Sequence, residues 1–448
     1  MKKIKIFKRI ANIMCIVIVC VCVGNGFNYL LYDDTNAYMR NTLHQLYTSD
    51  ENIDILFVGS SHVYRSMNPT IMDGIFHKHT FNLGSSCQYL DGSYAMIKEA
   101  CKNNDVKQIY LELYYGITEG SEYKEREQNS ATYEISDFMK PSFNKYTYLL
   151  NASSSDYYDN SFILARRNWE NLFSPQYVVN LWQEKHTSEY EEYAKTDMGY
   201  GNYYVDRGFY ANENVVGDNV YWNSKAFGEI SALDKMIPDC DWYKSLETIV
   251  NYCENNGIEL ILYVTPEPEW TLVGKGNYSD YHNRLSRIAE AFSVPFYDFN
   301  LCKASYFDAN DRNLFMDEDH LNLSGANKFS ELLSNFFMGN ISEQELFYNS
   351  YDEKLASEET MVYGIAYSME YNEAGTRNAY IISNRETGIE YKVSLLNNES
   401  GEEQIVQDFS PNINITLQPD EQKNFIISWR EADEESNITT IEIPNLME

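Results

Sequence analysis

Basic side chains and paired cysteines are scarce in this chain of 448 residues, and each shortage excludes something. Of the 35 Lys and Arg, five (Lys2, Lys3, Lys5, Lys8 and Arg9) precede residue 10, leaving 30 against 67 Asp and Glu. A body that acidic repels a phosphate backbone, so nucleic-acid binding is excluded. Outside the first apolar segment the cysteines show no CxxC or paired spacing. Cys15, Cys20 and Cys22 fall in the first apolar segment. The five beyond it (Cys87, Cys101, Cys240, Cys253, Cys302) are odd in number, so at least one is free and a disulfide framework is not indicated. Internal repeats and low-complexity tracts are also missing. Hydrophobic residues make up 44% of the chain, enough for real cores, and its length suits two folded units.

Ile10 to Val23 is apolar throughout except for Asn12, and the softer run Gly24 to Leu31 extends it. That is about 20 residues, the length that crosses a bilayer as a helix. An Ala-x-Ala cleavage site is lacking, although a cut at Cys22-Val-Gly24 is the alternative. Bulky Val19 and Val21 before Cys20 and Cys22 disfavour a lipidated cysteine. The expectation is therefore a cytoplasmic tail over 1–9 and a retained single-pass anchor over 10–31. The basic residues ahead of the anchor put everything after Tyr32 outside the cell membrane.

Short apolar runs at 53–58, 80–83, 107–113, 258–264 and 294–298 read as buried strands. They alternate with helical periods at 92–103, 242–255, 278–292 and 324–336. The pattern predicts an α/β domain over 32–345 with a doubly wound parallel five-stranded sheet. Residues 120–240 break the alternation and are expected to form a helical insert, a lid over the sheet edge. Beyond 350 the runs at 361–369, 379–383, 391–395, 413–417 and 424–429 predict a β-sandwich accessory domain over 355–448. The acidic, turn-rich stretch 340–360 is expected to be the boundary.

Two segments carry chemistry. Leu56 to Val58 runs into Gly59-Ser60-Ser61-His62, a small-residue turn that can lift a serine hydroxyl above a sheet. Asp317-Glu-Asp-His320 offers a carboxylate and an imidazole three residues apart. In a doubly wound sheet the end of the first strand and the last strand-to-helix loop share the carboxyl edge, so Ser61 and His320 can meet. His320 would take the Ser61 proton, and Asp317 would orient the imidazole and stabilise its charged form.

These residues resemble a known family. The strand–Gly59-Ser60-Ser61–helix unit, Asn82-Leu83-Gly84 after the second strand and Asp317-x-x-His320 are similar to blocks I, II and V of the SGNH (GDSL-type) hydrolase superfamily, across about residues 50–340. The resemblance implies a flavodoxin-like sheet and makes Ser61, rather than Ser60, the nucleophile. It also implies an oxyanion hole drawn from the N–H groups of Ser61 and Gly84. The family's third donor, an asparagine after the third strand, is replaced by Leu113-Tyr114-Tyr115-Gly116. That departure resembles the membrane-anchored, DltD-like branch, whose members assist acyl transfer onto envelope polymers. The resemblance then implies a cell-surface polysaccharide or teichoic-acid-like polymer as substrate, and a multi-pass membrane acyltransferase as partner.

The remaining candidates are open. His62, Glu112 and Tyr114 are expected to line the substrate side, although Glu112 suits a satisfied strand-end acid equally and His62 a helix-start contact. Asp319 reads as a solvated turn acid and Cys87 as a small buried residue. His77 and His79 with Asp319 are the alternative metal set, while the expectation is no metal and no cofactor. Trp169, Trp182, Tyr203, Tyr204 and Trp222 suit either sugar stacking or an aromatic core. The function expected is serine-dependent acyl transfer or ester hydrolysis outside the cell. The alternative is an inactive glycan-binding or scaffold protein with the same fold. Membrane fractionation should leave the full-length chain in the bilayer with its C-terminus open to external protease; a soluble form beginning near Asn25 would show cleavage instead.

Overall fold

The structure is a computed structural model that describes all residues except Met1, 119–129, 218–229, 372–375, 386, 398–399, 418–423, 433, 435 and 444–448. Trp222 and parts of the insert lie outside the described residues. The N-terminal apolar run forms one helix, Lys2–Leu31, of which Lys8–Leu31 is long and apolar enough to cross a membrane or act as a signal anchor. The helix enters the body directly. Leu31 is buried, Asn28 Oδ1 accepts the Ala165 N–H at 2.8 Å, and Lys185 Nζ donates to the Tyr29 and Tyr32 carbonyls at 3.1 and 2.6 Å. Lys185 also pairs with Asp34 at 2.9 Å.

Three strands come first: β1 (Ile55–Gly59), β2 (Thr80–Gly84) and β3 (Gln108–Glu112). The insert adds a small antiparallel sheet of β4 (Asp197–Gly199), β5 (Asn202–Asp206) and β6 (Phe209–Asn212). Then follow β7 (Glu259–Val264) and β8 (Phe296–Asp298). The central sheet runs β2-β1-β3-β7-β8 and every pairing is parallel. Both faces are covered, which is why β1 is apolar without alternation and every residue of β1 and β2 is buried. Leu56, Val58, Leu83, Leu111 and Leu262 face helices Leu90–Ala100 and Asp241–Asn256. Ile55, Phe57, Tyr110, Ile261 and Tyr263 face Phe329 and Leu333 of helix Leu323–Phe337. The strand order reverses at β1, so the end of β1 opens on the crevice that such sheets use for ligands.

The insert is only partly a lid. Its segments between 164 and 184 contact the N-terminal helix, and its helices Ser130–Ser136 and Phe143–Ala152 pack on Leu90–Ala100, whereas β6 contacts the helix that follows β1. Just beyond β6, Val216 N–H donates to Phe315 O at 3.0 Å and Asn214 O accepts from Asn322 at 3.2 Å. That segment ties the first strand's helix to the loop carrying His320.

The C-terminal unit is a separate sandwich-like domain. Its strands are β9 (Val362–Tyr371), β10 (Arg377–Ser383), β11 (Ile389–Leu396), β12 (Glu403–Ser410), β13 (Asn414–Leu417), β14 (Asn424–Glu431) and β15 (Thr439–Ile443). They form antiparallel sheets ordered β13-β10-β9 and β12-β11-β14-β15. Alternate residues Ile389, Tyr391, Val393 and Leu395 of β11 point into a core shared with Ile365, Ile381, Phe425 and Ile427. Strands β12 and β15 are absent from the apolar pattern because they are polar outer strands.

The stretch expected to be an open boundary holds two short helices, Glu343–Leu346 and Tyr351–Ser357. The second is pinned by burial of Tyr351 and Lys354 against Glu269, at the start of helix Glu269–Lys275. Lys354 pairs with the Glu269 carboxylate and donates to Asn300 O at 2.9 Å; Tyr351 Oη donates to Glu269 at 2.6 Å. Removing one partner strands the other charge without water. Lys354→Ala should cost the protein freed of its N-terminal helix about 3–5 kcal/mol in urea denaturation. A loss below about 1 kcal/mol, the size of an exposed pair, would mean the joint rests on other contacts.

Candidate active site

The site begins with two glycines in register, Gly59 at the end of β1 and Gly84 at the end of β2. Helix Ser61–Ser66 lies across both strand ends. A Cβ on Gly59 would stand 2.6 Å from Glu112 and Val63, and one on Gly84 2.7 Å from the Tyr64 nitrogen. The close approach therefore requires glycine at both places. Ser60 caps the helix by accepting the His62 N–H at 3.3 Å, and its own N–H donates to Glu112 Oε2 at 2.6 Å. Asn82 secures the other end, donating from Nδ2 to Val63 O and Met67 O at 2.9 and 3.0 Å.

Ser61 is the first residue of that helix, with its hydroxyl 2.8 Å from His320 Nε2. His320 Nδ1 lies 3.0 and 3.1 Å from the two Asp317 oxygens. The Asp317 carboxylate also closes its own turn, accepting the N–H groups of Asp319 at 2.9 Å and His320 at 2.7 Å. Burial alone would raise the Asp317 pKa; the bonds from His320 and those N–H groups outweigh it and hold the carboxyl at about 2. An ionised carboxylate only accepts, so the proton of neutral His320 sits on Nδ1, and Nε2 is left to accept from Ser61. Asn322 fixes the loop from behind, donating to Asn313 O at 2.8 Å while accepting the Gly325 N–H at 3.0 Å.

Several expected contacts fall elsewhere. The Gly84 N–H does not face Ser61; it donates to Asn82 Oδ1 at 3.0 Å, because the asparagine that holds the helix turns its carbonyl back on its own strand. Among the described residues the Ser61 N–H has no hydrogen-bond partner. Glu112 is not on the substrate side. It is fully buried, with one oxygen on Ser60 N–H and the other 3.3 Å from the Thr265 hydroxyl. Burial raises its carboxyl to about 7, against the lowering effect of the Ser60 bonds. His62 is likewise buried, its ring stacked on His320 at 4.8 Å between centroids and tilted on Tyr114 at 4.1 Å. Tyr114 is half-buried against it. Cys87 is exposed, with a left-handed φ of 48°, rather than a small core residue. His79 lies 3.4 Å from Asp73, beside Arg207 and away from Asp319, and His77 ends helix Pro69–Phe76.

Asp319 is not a solvated turn acid either. Its ligand atom, one from Glu267 and one from His62 all lie within 4.8 Å of one another, close enough to hold a metal. His62 Nε2 and Glu267 Oε1 are buried without a hydrogen-bond partner among the described residues. Burial raises the carboxyl pKa of both Glu267 and Asp319, and lowers the imidazole pKa of His62. Lys275 acts on both acids in the opposite sense. Burial thus favours the neutral form of both acids, and the Lys275 ammonium favours the charged one. Thr265 and Glu267, like the holding role of Asn82, escaped the sequence reading. Their signal was the same as that of Ser61: polar residues at the carboxyl end of a parallel strand.

No protein-family model matches the chain, and no curated protein matches it in sequence. One similar solved chain, provisionally named a platelet activating factor from Streptococcus pneumonia, aligns with 71% of this chain and 98% of its own, at 13% identity and a TM-score of 0.32. A likeness of that size carries no argument about chemistry.

The buried Glu112 generates a pH test. Unfolded, it ionises near 4.5, its ordinary value; folded, near 7. Between those values the folded protein keeps a proton that the unfolded chain has lost, so its contribution to stability falls as pH rises from about 4.5 to about 7 and is flat above. The full change is about 3 kcal/mol at most. Glu112→Gln keeps an acceptor for the Ser60 N–H and removes the titration. Its stability relative to wild type should rise across that window; a difference independent of pH would mean Glu112 is ionised throughout.

Proposed function

We propose that the protein is a membrane-anchored, extracytoplasmic serine enzyme of the SGNH type that moves an acyl group, acetyl or similar, on or off a cell-surface polysaccharide. The observation that carries this reading is the line Ser61 Oγ–His320 Nε2 at 2.8 Å and His320 Nδ1–Asp317 at 3.0 Å. In this reading the Ser61 oxygen attacks the acyl carbonyl carbon and its proton passes to His320 Nε2. Ionised Asp317 stabilises the imidazolium that forms. The Ser61 N–H meets the charge developing on the carbonyl oxygen. His320 then returns the proton to the departing alcohol, leaving the acyl group on Ser61. Water or a sugar hydroxyl, deprotonated by the same imidazole, takes the acyl group off in the second half.

The anchor and the basic residues before it support a body outside the cell, beside an envelope polymer such as a teichoic acid. A multi-pass acyltransferase that exports the acyl group would be the natural donor. A second reading, an inactive glycan-binding or scaffold protein, draws on the engaged Gly84 N–H. One oxyanion donor missing costs about 10²–10³ in rate.

Purified ectodomain with p-nitrophenyl acetate separates the two. Ser61→Ala and His320→Ala should abolish turnover and Ser61→Ala should block labelling by a serine-directed phosphonate. Asp317→Asn should lower kcat by about 10⁴, as expected when the orienting carboxylate is lost. Wild-type protein that neither turns over the ester nor takes up the phosphonate, yet binds polymer, would favour the inactive reading.

A further inference from the structure

We propose that residues 162–186 of the insert form a collar seated in the outer interface of a lipid bilayer, so that the protein touches lipid with its body as well as its anchor. This rests on the anchor reading above. Three short elements make the collar: helix Leu164–Arg167, the 3-10 turn Trp169–Phe173 and helix Pro175–Glu184. All three contact helix Lys2–Leu31. Their height follows from arithmetic. A hydrocarbon core of about 30 Å takes about 20 residues of helix at 1.5 Å each, so a span entering at Ile10 leaves near Tyr29. The collar is bonded at that level. Ala165 donates to Asn28, His186 meets the Tyr29 ring edge-on at 6.0 Å between centroids, and Lys185 holds the Tyr29 carbonyl.

The collar also presents the wrong side chains for water. Phe173 is 81% exposed, Trp169 55%, Ile163 51%, Trp182 48%, Val179 47% and Leu172 46%. Val179 and Trp182 are three residues apart and share a helix face, while Leu181 turns inward and is buried. Exposed apolar side chains gathered around the exit of a membrane span mark a surface that water does not cover in use. Tryptophan is the residue enriched where hydrocarbon meets headgroups. Charge does not oppose this. Between 162 and 186 most charged side chains are already paired: Arg166 with Asp159, Arg167 with Asp137, Glu184 with Lys195, and the buried Lys185 with Asp34. The collar therefore carries little free charge to desolvate as it enters the interface. Short amphipathic segments of this kind lie in the interface plane rather than crossing it.

The test uses full-length protein in phosphatidylcholine vesicles, with and without lipids brominated near the carbonyl end of the acyl chain. Bromine in contact with an indole quenches it. Wild type should lose up to about one third of its emission, since two of its six tryptophans sit in the collar. The double variant Trp169→Phe, Trp182→Phe should lose little. Both substitutions are at exposed positions and should leave far-UV circular dichroism unchanged. Equal fractional quenching of wild type and variant, with protein retained through alkaline carbonate extraction, would overturn the collar while leaving the anchor intact. Release of the protein by carbonate would overturn the anchor itself. Unquenched collar tryptophans that become protected only beside a second membrane protein would also overturn the lipid assignment, giving this face to a protein partner.

Discussion

The hydrogen bond from the Ser60 N–H to the buried Glu112 carboxyl, 2.6 Å long, is the constraint from which the site follows. A chain leaving a parallel strand and turning at once into a helix has backbone groups that the sheet no longer satisfies and that water cannot reach. Here β3 reaches across to satisfy one, and Asn82 of β2 satisfies two carbonyls at the helix's other end. The serine turn hangs between side chains of its two neighbouring strands. Ser61 is therefore positioned by the sheet rather than by a loop, and only His320 and Asp317 come from a connection. That connection is stiffened in turn by the Asp317 turn and by Asn322.

Much of this was legible in the sequence, and the reason is periodicity. Buried parallel strands are nearly continuous apolar runs, so all five are visible in the sequence, and the carboxyl-edge rule alone places Ser61 near His320. What sequence could not give was the direction in which a donor points. Asn82-Leu83-Gly84 was recognisable as a motif. Yet whether the Gly84 N–H meets a substrate or the Asn82 side chain depends on a single side-chain rotamer. Glu112 failed for a related reason, since a lone acid on an apolar strand reads the same whether it faces the cleft or the interior. Polar outer strands such as β12 and β15 lack a buried face to advertise them.

Buried ionisable groups recur at the places where elements meet. Lys185 ties the N-terminal helix to the insert, Lys354 ties the sandwich's connecting helix to β7's exit, and Glu112 ties β3 to the serine turn. Each is costly to bury without its partner and therefore specific, because the alternative arrangements leave a charge or a hydrogen-bonding group unpaired. Joints of this type favour one docking geometry over a range of similar ones. The Glu269 that receives Lys354 lies two residues beyond Glu267, so the sandwich is mounted on the same chain segment that lines the site.

The direct entry of the N-terminal helix into the body has a mechanical consequence. A flexible leash would let the body wander over a hemisphere whose radius grows with the square root of linker length. With Leu31 buried and Lys185 bridging the carbonyls of Tyr29 and Tyr32, there is no leash. Were the helix to span a bilayer as proposed, such a molecule would keep lateral diffusion and spin about the membrane normal, and give up most of its tilt. Its reach would become a fixed altitude, and a polymer of the proposed kind would be met or missed according to how far from the membrane its reactive groups stand.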